Sequence, residues 1–230
     1  MKHLAVFDWN GTLFDDLDAN IKGANAVFNF HGRDPLTIEQ YQETFTFPIL
    51  HFYTANGIHA DEYLESHDET AKVYFETYEK AAQELGLRSM VIEFLQWLND
   101  NGVDCMLLSN HLKENVEQQL ARFHIRHYFS HISCNDIYDA SFILKMNKCD
   151  RLRTHMEKHG YNARNAFIIG DTLEEPEIAE LLGLTSFSIT GGCLNRERLL
   201  SSGTDYVIDH FSELFPVVGK MWNLEYKKAS

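Results

Sequence analysis

The chain has 230 residues, room for one large domain or for a domain interrupted by a smaller one. Its 34 acidic against 20 basic residues give a formal net charge of -14, which argues against nucleic acid or an anionic membrane surface as partner, since both need a basic face. No apolar run approaches the roughly eighteen residues of a membrane span, and the first strand begins too early for a signal peptide, so a cytoplasmic protein is expected.

Leu4–Phe7 is an apolar run too short for a helix and flanked like a buried strand. Asp8 follows at its C-terminal end, and the Gly11 turn beyond it lets successive backbone N–H groups converge on an anion. Apolar residues at Leu17, Ile21, Ala24, Val27 and Phe28 predict a helix from Asp15 to about Gly32. Pro35 opens a short helix through Ile38 and Tyr41. Phe45–Tyr53 is rich in aromatic residues and interrupted by Pro48, which reads as a kinked or broken helix. After the Asn56-Gly57 turn, one long helix is expected from about Ala60 to Leu85, with Gly86 as its stop.

From Ser89 the rhythm changes to alternating helix and strand. Met90–Leu98 gives a helix face, Val103–Leu108 a strand leading to Ser109-Asn110-His111, and Leu112–Phe123 a helix. Phe129–Ser133 reads as a strand, Lys148–His159 as a helix ended by Gly160, and Ala166–Ile169 as a strand running into Gly170-Asp171. Ile178–Leu182 is helical, with strands at Leu184–Ile189 and Tyr206–Ile208. Such alternation needs crossover helices, so an α/β fold is predicted, with a parallel sheet covered by helices on both faces. The expected division is a core of residues 1–14 and 87–230, interrupted by an all-helical cap of residues 15–86.

Three predicted strands end in polar residues: Asp8, Ser109 and Asp171. Ligands of open parallel sheets bind outside the carboxyl ends of the strands, so these three mark one rim. Asp8 reads as a nucleophile or metal ligand above an anion cradle. Asp171 with a following glutamate, beside Asp8, would be self-repelling without a cation, and hard oxygen ligands suit Mg²⁺. Cys105, Cys134, Cys149 and Cys193 are scattered, supporting neither disulfides nor a zinc site. Gly191-Gly192 lacks the spacing of a phosphate loop and reads as a plain turn.

Asp8-Trp9-Asn10-Gly11-Thr12-Leu13 resembles the first motif of the haloacid-dehalogenase-like hydrolases, Asp-x-Asp-Gly-Thr-Leu. Ser109 after Cys105–Leu108 resembles the second motif, and Gly170-Asp171-Thr172-Leu173-Glu174-Glu175 the fourth. The third motif, a lysine, is met by Lys145 or by Lys148, which heads the helix leading to the Asp171 strand and is favoured. The resemblance implies a Rossmann-like core with a helical cap after motif one, as in phosphoglycolate-phosphatase-type members. It also implies Mg²⁺ and phosphoryl transfer from a small phosphorylated metabolite through an aspartyl-phosphate on Asp8. In that reading Asp8 and Asp171 bind the metal directly, with the backbone carbonyl of Asn10, and Glu175 acts through water; Glu174 is its competitor. Gly11, Thr12, Ser109, Asn110 and Lys148 hold the substrate.

One position departs from the pattern. Asn10 stands where the family's second Asp serves as acid and base, and an amide does neither at neutral pH. His111, just after Ser109, is placed either to face the site or to act structurally. The alternatives are a dehalogenase-type enzyme attacking carbon without metal, a phosphotransfer enzyme, and a binding or regulatory protein that kept the fold and lost turnover.

Overall fold

The computed structural model describes residues 2–136 and 147–225. Lys145, the alternative motif lysine, lies outside the described residues. Among the described residues six parallel strands form one sheet in the order β3-β2-β1-β4-β5-β6. They are β1 (Leu4–Phe7), β2 (Asp104–Leu112), β3 (Phe129–Asn135), β4 (Ala166–Gly170), β5 (Thr185–Ile189) and β6 (Tyr206–Ile208).

Alternation along each strand divides its side chains between two cores. Ala5 and Phe7 face one side, with Cys105, Leu107, Phe167 and Phe187. On that side they meet α6 (Val91–Asp100), α7 (Lys113–Arg122) and α10 (Leu214–Trp222). Leu4, Val6, Met106 and Ile168 face the other, against α8 (Lys148–His159) and α9 (Glu174–Leu182). Burial of both faces is why these strands are continuous apolar runs. Each such large side chain contributes about 1.5–3 kcal/mol.

Between β1 and α6 lie five helices: α1 (Leu17–Phe30), α2 (Ile38–Thr44), α3 (Ile49–Ala55), α4 (Ala60–Glu65) and α5 (His67–Ala82). The predicted single helix from Ala60 to Leu85 is therefore two. The break falls at Ser66, whose hydroxyl donates to the Glu62 carbonyl one turn back at 2.8 Å, a bond that competes with the helix ladder. Pro48 precedes the first residue of α3, so the aromatic stretch is an extended turn followed by a helix rather than one kinked helix.

The chain leaves and re-enters the sheet layer side by side. Phe14 and Leu87 form an antiparallel bridge, Asp15 N–H donates to Gly86 O at 3.0 Å, and Arg88 N–H to Leu13 O at 3.0 Å. The five helices have their own core, including Phe28, Tyr41, Phe52, Tyr53 and Tyr63, which leans on Cys193, Leu194 and Leu199 beyond β5.

Candidate active site

The rim expected from the sequence is assembled by three neighbouring strands. Asp8 follows β1, Ser109 lies in β2 on one side of it, and Asp171 follows β4 on the other. β2 does not stop at Leu108 as predicted. It continues to Leu112, which pairs with Asn135 after an irregularity in register, so Ser109 and His111 are strand residues.

Lys148, the first residue of α8, is buried at the centre of the carboxylates. Its Nζ lies 2.8 Å from Asp8 Oδ1, 2.7 Å from Glu175 Oε1 and 3.4 Å from Glu174 Oε2. Burial alone would push its pKa down, but the charges of Asp8, Glu175 and Glu174 outweigh that and hold it well above its usual value. Asp8 is pushed well above the usual carboxylate range by burial and by Glu175 and Asp171, against the pull of Lys148. Burial also carries Asp171 up to about 6, with Glu175 adding to it and the Cys193 N–H opposing.

Asp171 is fully enclosed. It accepts from Thr12 Oγ1 at 3.2 Å on one oxygen and from Cys193 N–H at 2.6 Å on the other. Gly11 and Gly192 make this possible, since a Cβ on either would fall within 2.2 Å of Asp171 Oδ2. Gly191-Gly192 is therefore a turn that also closes the wall around Asp171. Thr12 stands behind that carboxylate and orients it; its assignment to substrate has no support from the cavity wall, which it does not reach.

The anion cradle expected at the Gly11 turn is partly filled by the chain itself. Gly11 N–H donates to Asp16 Oδ1 at 2.6 Å, and Asp16 is fully buried. The other Asp16 oxygen accepts from Asn10 Nδ2 at 2.6 Å and from the Tyr78 hydroxyl, while Asn10 Nδ2 also donates to Tyr78 Oη at 2.7 Å. An ionised carboxylate only accepts, so Asp16 fixes the orientation of the Asn10 amide. Both amide hydrogens are spent, and the carbonyl oxygen is what Asn10 retains for other partners. Burial raises the Asp16 pKa, opposed by these three hydrogen bonds.

Sequence reasoning singled out neither Asp16 nor Tyr78. It also passed over Arg88, whose guanidinium spans Gly11 O at 2.6 Å and Thr190 O at 2.9 Å, and Arg151, which holds Ser109 O at 3.0 Å and Asn110 Oδ1 at 3.1 Å. Asn110 in turn donates to Glu174 Oε2 at 2.8 Å. His111 Nε2 lies 2.9 Å from Glu79 Oε1 on α5, so it ties β2 to the helical layer.

The residues fit a hard divalent cation. Among the described residues no three His, Cys, Asp or Glu side chains make a closed metal cage, but Mg²⁺ keeps waters and needs only one or two carboxylates. Asp8 and Asp171 are both pushed up by burial and by neighbouring carboxylates, which a cation would offset, and Glu174 Oε1 is buried without a hydrogen-bond partner. Glu175 differs: its oxygens are held by Lys148 at 2.7 Å and by Thr172 Oγ1 at 2.7 Å, leaving an indirect contact as its route to a metal.

Above these groups a cavity of about 100 Å³ is walled by Asp8, Asn10, Ser109, Asn110, Lys148 and Asp171 below and by the helical layer above. A parallel α/β sheet with an aspartate at its central strand end, a buried lysine beside it and a helical layer over both defines an α/β hydrolytic enzyme. The chain belongs to the haloacid dehalogenase-like hydrolase family, whose profile matches residues 5–189. It is 24% identical over 222 residues to phosphoglycolate phosphatase 1 of Pseudomonas aeruginosa, covering 94% of this chain and 79% of that protein. It is 25% identical over 230 residues to a phosphoglycolate phosphatase of Vibrio parahaemolyticus, covering 94% and 95%. A haloacid dehalogenase-like hydrolase from Streptococcus pneumoniae superimposes with a TM-score of 0.77 at 19% identity, covering 94% of this chain and 98% of that one. A haloacid dehalogenase-like protein of unknown function from Agrobacterium tumefaciens gives 0.74 at 18% identity, covering 96% and 99%.

Proposed function

We propose that the chain is a Mg²⁺-dependent phosphatase of a small organic phosphate monoester, working through an aspartyl-phosphate on Asp8, with residues 15–86 as a cap over the site. The relatives named phosphoglycolate phosphatases support the phosphatase reading. The observation that carries the mechanism is Lys148 Nζ at 2.8 Å from Asp8, bridging it to Glu175 inside a buried pocket. That ammonium lowers the repulsion between a carboxylate nucleophile and an anionic phosphoryl group.

Asp8 attacks phosphorus, the ester oxygen departs, and water then cleaves the acyl phosphate to give inorganic phosphate and free Asp8. Asp8, Asp171 and the Asn10 backbone carbonyl are the proposed metal ligands, with Glu175 acting through water. The metal, when bound, neutralises charge on the phosphoryl oxygens. Ser109, Asn110 and Lys148 are the proposed phosphoryl contacts, and the cap excludes water. Asn10 fits the step as an acceptor that orients water, because its amide hydrogens are committed to Asp16 and Tyr78.

Asp8→Asn is expected to stay folded and to lose essentially all phosphate release, with no ³²P-labelled protein after acid quench. Retained turnover in a clean preparation would remove the covalent mechanism. Activity lost on adding a chelator and restored by Mg²⁺ separates this reading from attack on a carbon–halogen bond, which needs no metal.

A further inference from the structure

The cap side of the cavity has an unusual chemistry for an enzyme acting on a small charged phosphate. Twelve cap residues line it and none is charged. Eight of them are aromatic, with Tyr41, Phe45, Phe47, Phe52, Tyr74 and Phe75 among them. Two of the polar side chains there are committed within the cap: Tyr74 Oη donates to Asn20 Oδ1 at 2.8 Å, and Asn20 Nδ2 donates to Asp16 O at 3.2 Å. Phe47 and Phe75 are only half-buried, and both line the space above Asp8. Lys148 is the one lysine of the described wall, and its charge is already shared among three carboxylates.

A carboxylate placed against such a roof would lose its hydration without gaining a cation. A flat apolar group would instead gain ring-to-ring contact and burial. Asn10 points independently to the same class. An amide does not protonate the departing oxygen, and His111, which also lines the cavity, has its Nε2 held 2.9 Å from Glu79, so the site favours a leaving group that is a weak base. A phenol has a pKa of about 10, as in tyrosine, whereas an alkoxide is close to hydroxide, whose conjugate acid has a pKa of about 15.7.

We propose that the substrate of this site is an aryl phosphate monoester whose ring is received by the aromatic roof of the cap, and not a small carboxylate-bearing phosphate. This rests on the phosphatase reading above. The phenolate oxygen leaves with the P–O bonding pair as Asp8 forms its own bond to phosphorus, and it is protonated by solvent after departure. Water supplies the oxygen and protons for the second step.

The test is a panel of esters assayed with Mg²⁺: phenyl, benzyl and ethyl phosphate and 2-phosphoglycolate. Binding of phenylphosphonate and phosphonoacetate is measured beside it by calorimetry. Phenylphosphonate is expected to bind at least about tenfold more tightly than phosphonoacetate, the size of effect a hydrophobic pocket gives. Benzyl phosphate carries the ring but leaves as an alkoxide, so its KM should match that of phenyl phosphate while its kcat falls by about 10², the lower part of what missing acid catalysis costs. Phe47→Arg, which sets a cation in the roof at a half-buried position, should shrink the phenyl-over-phosphoglycolate ratio of kcat/KM by about tenfold or more. Phosphonoacetate binding as tightly as phenylphosphonate, or 2-phosphoglycolate matching phenyl phosphate in kcat/KM, would overturn the proposal. If no ester releases phosphate while phenylphosphonate still binds more tightly, the phosphatase reading falls and the aryl preference of the pocket stands.

Discussion

Asn10 and Asp16 form a pair in which an amide stands where the family motif has an acid and a buried carboxylate holds that amide in place. Asp16 is buried with three donors converging on it, from Gly11, Asn10 and Tyr78. Asn10→Asp would bring a second carboxylate within hydrogen-bond distance of the first, and two such groups cannot both ionise. The variant must retain a shared proton near Asp8, which is an acid the natural chain lacks. Hydrolysis of ethyl or benzyl phosphate should rise by about 10² or more while phenyl phosphate changes little; equal changes on all esters in steady-state assays would rule this out. Asp16→Ala should destabilise by about 2 kcal/mol or more, because it strands three buried donors, and urea unfolding measures it. Asp8 and Asp171 were legible in the sequence because each follows an apolar run at a strand end. Asp16 was not. Beside exposed Asp15 it looks like an ordinary acidic helix start, and only the fold of the Gly11 turn brings it back onto Asn10. An amide in a motif that expects an acid, followed within a few residues by a spare acid, is the signal that was there to read.

Elements were legible wherever one physical pattern dominated. β1, β4 and α8 stand where apolar runs and helical spacing put them, because both sheet faces are buried and the pattern has no competitor. Reading failed where a single side chain decides, as at Ser66, or where a strand stays in the sheet through polar residues, as in β2 beyond Leu108. The segment from Phe45 through α3 shows why pattern does not separate core from site. Phe52 is fully buried and packs on the rings of Phe28, Tyr41, Phe45 and Tyr53, whereas Phe47 is half-buried and touches Phe45 alone among the described rings. Nothing in the sequence pattern separates the two. Phe52→Ala should cost about 3–5 kcal/mol of stability, as large cavities do. Phe47→Ala should cost little and instead raise KM for aryl phosphates. Urea unfolding beside a KM measurement on both variants would reverse these assignments if Phe52→Ala proved stable and altered in KM only.

At the scale of the whole molecule, the site stores unfavourable charge that a cation would relieve. A chain of net charge -14 buries Asp8, Asp171, Glu174 and Glu175 around one lysine. Burial would push Glu175 up, but Lys148 outweighs it and holds that carboxyl below its usual value. For Asp171 the pull of the Cys193 N–H and of Arg88 does not outweigh burial, and its pKa rises to about 6 from the ordinary 3.8. A raised carboxyl binds its proton more tightly folded than unfolded, so its contribution to stability is complete below about 3.8 and is lost as pH rises through about 6. Mg²⁺ held as proposed by Asp8 and Asp171 would compete with that proton and favour the charged form. In chelator, the melting temperature should therefore be lower at pH 7.5 than at pH 5 by more than in Asp171→Asn, which has no proton to lose. Added Mg²⁺ should raise it more at pH 7.5 than at pH 5. At a free concentration of 100 times Kd the gain corresponds to about 2.7 kcal/mol. Asp171→Asn should be more stable than the natural chain at pH 7.5 in chelator and should gain much less from Mg²⁺. Glu174→Gln, which leaves Asp8 and Asp171 intact, should keep most of the Mg²⁺ gain. Thermal scans of the three proteins with and without Mg²⁺ at the two pH values decide it. Identical melting of the natural chain in chelator and in Mg²⁺ at both pH values would show that Asp8 and Asp171 hold no metal.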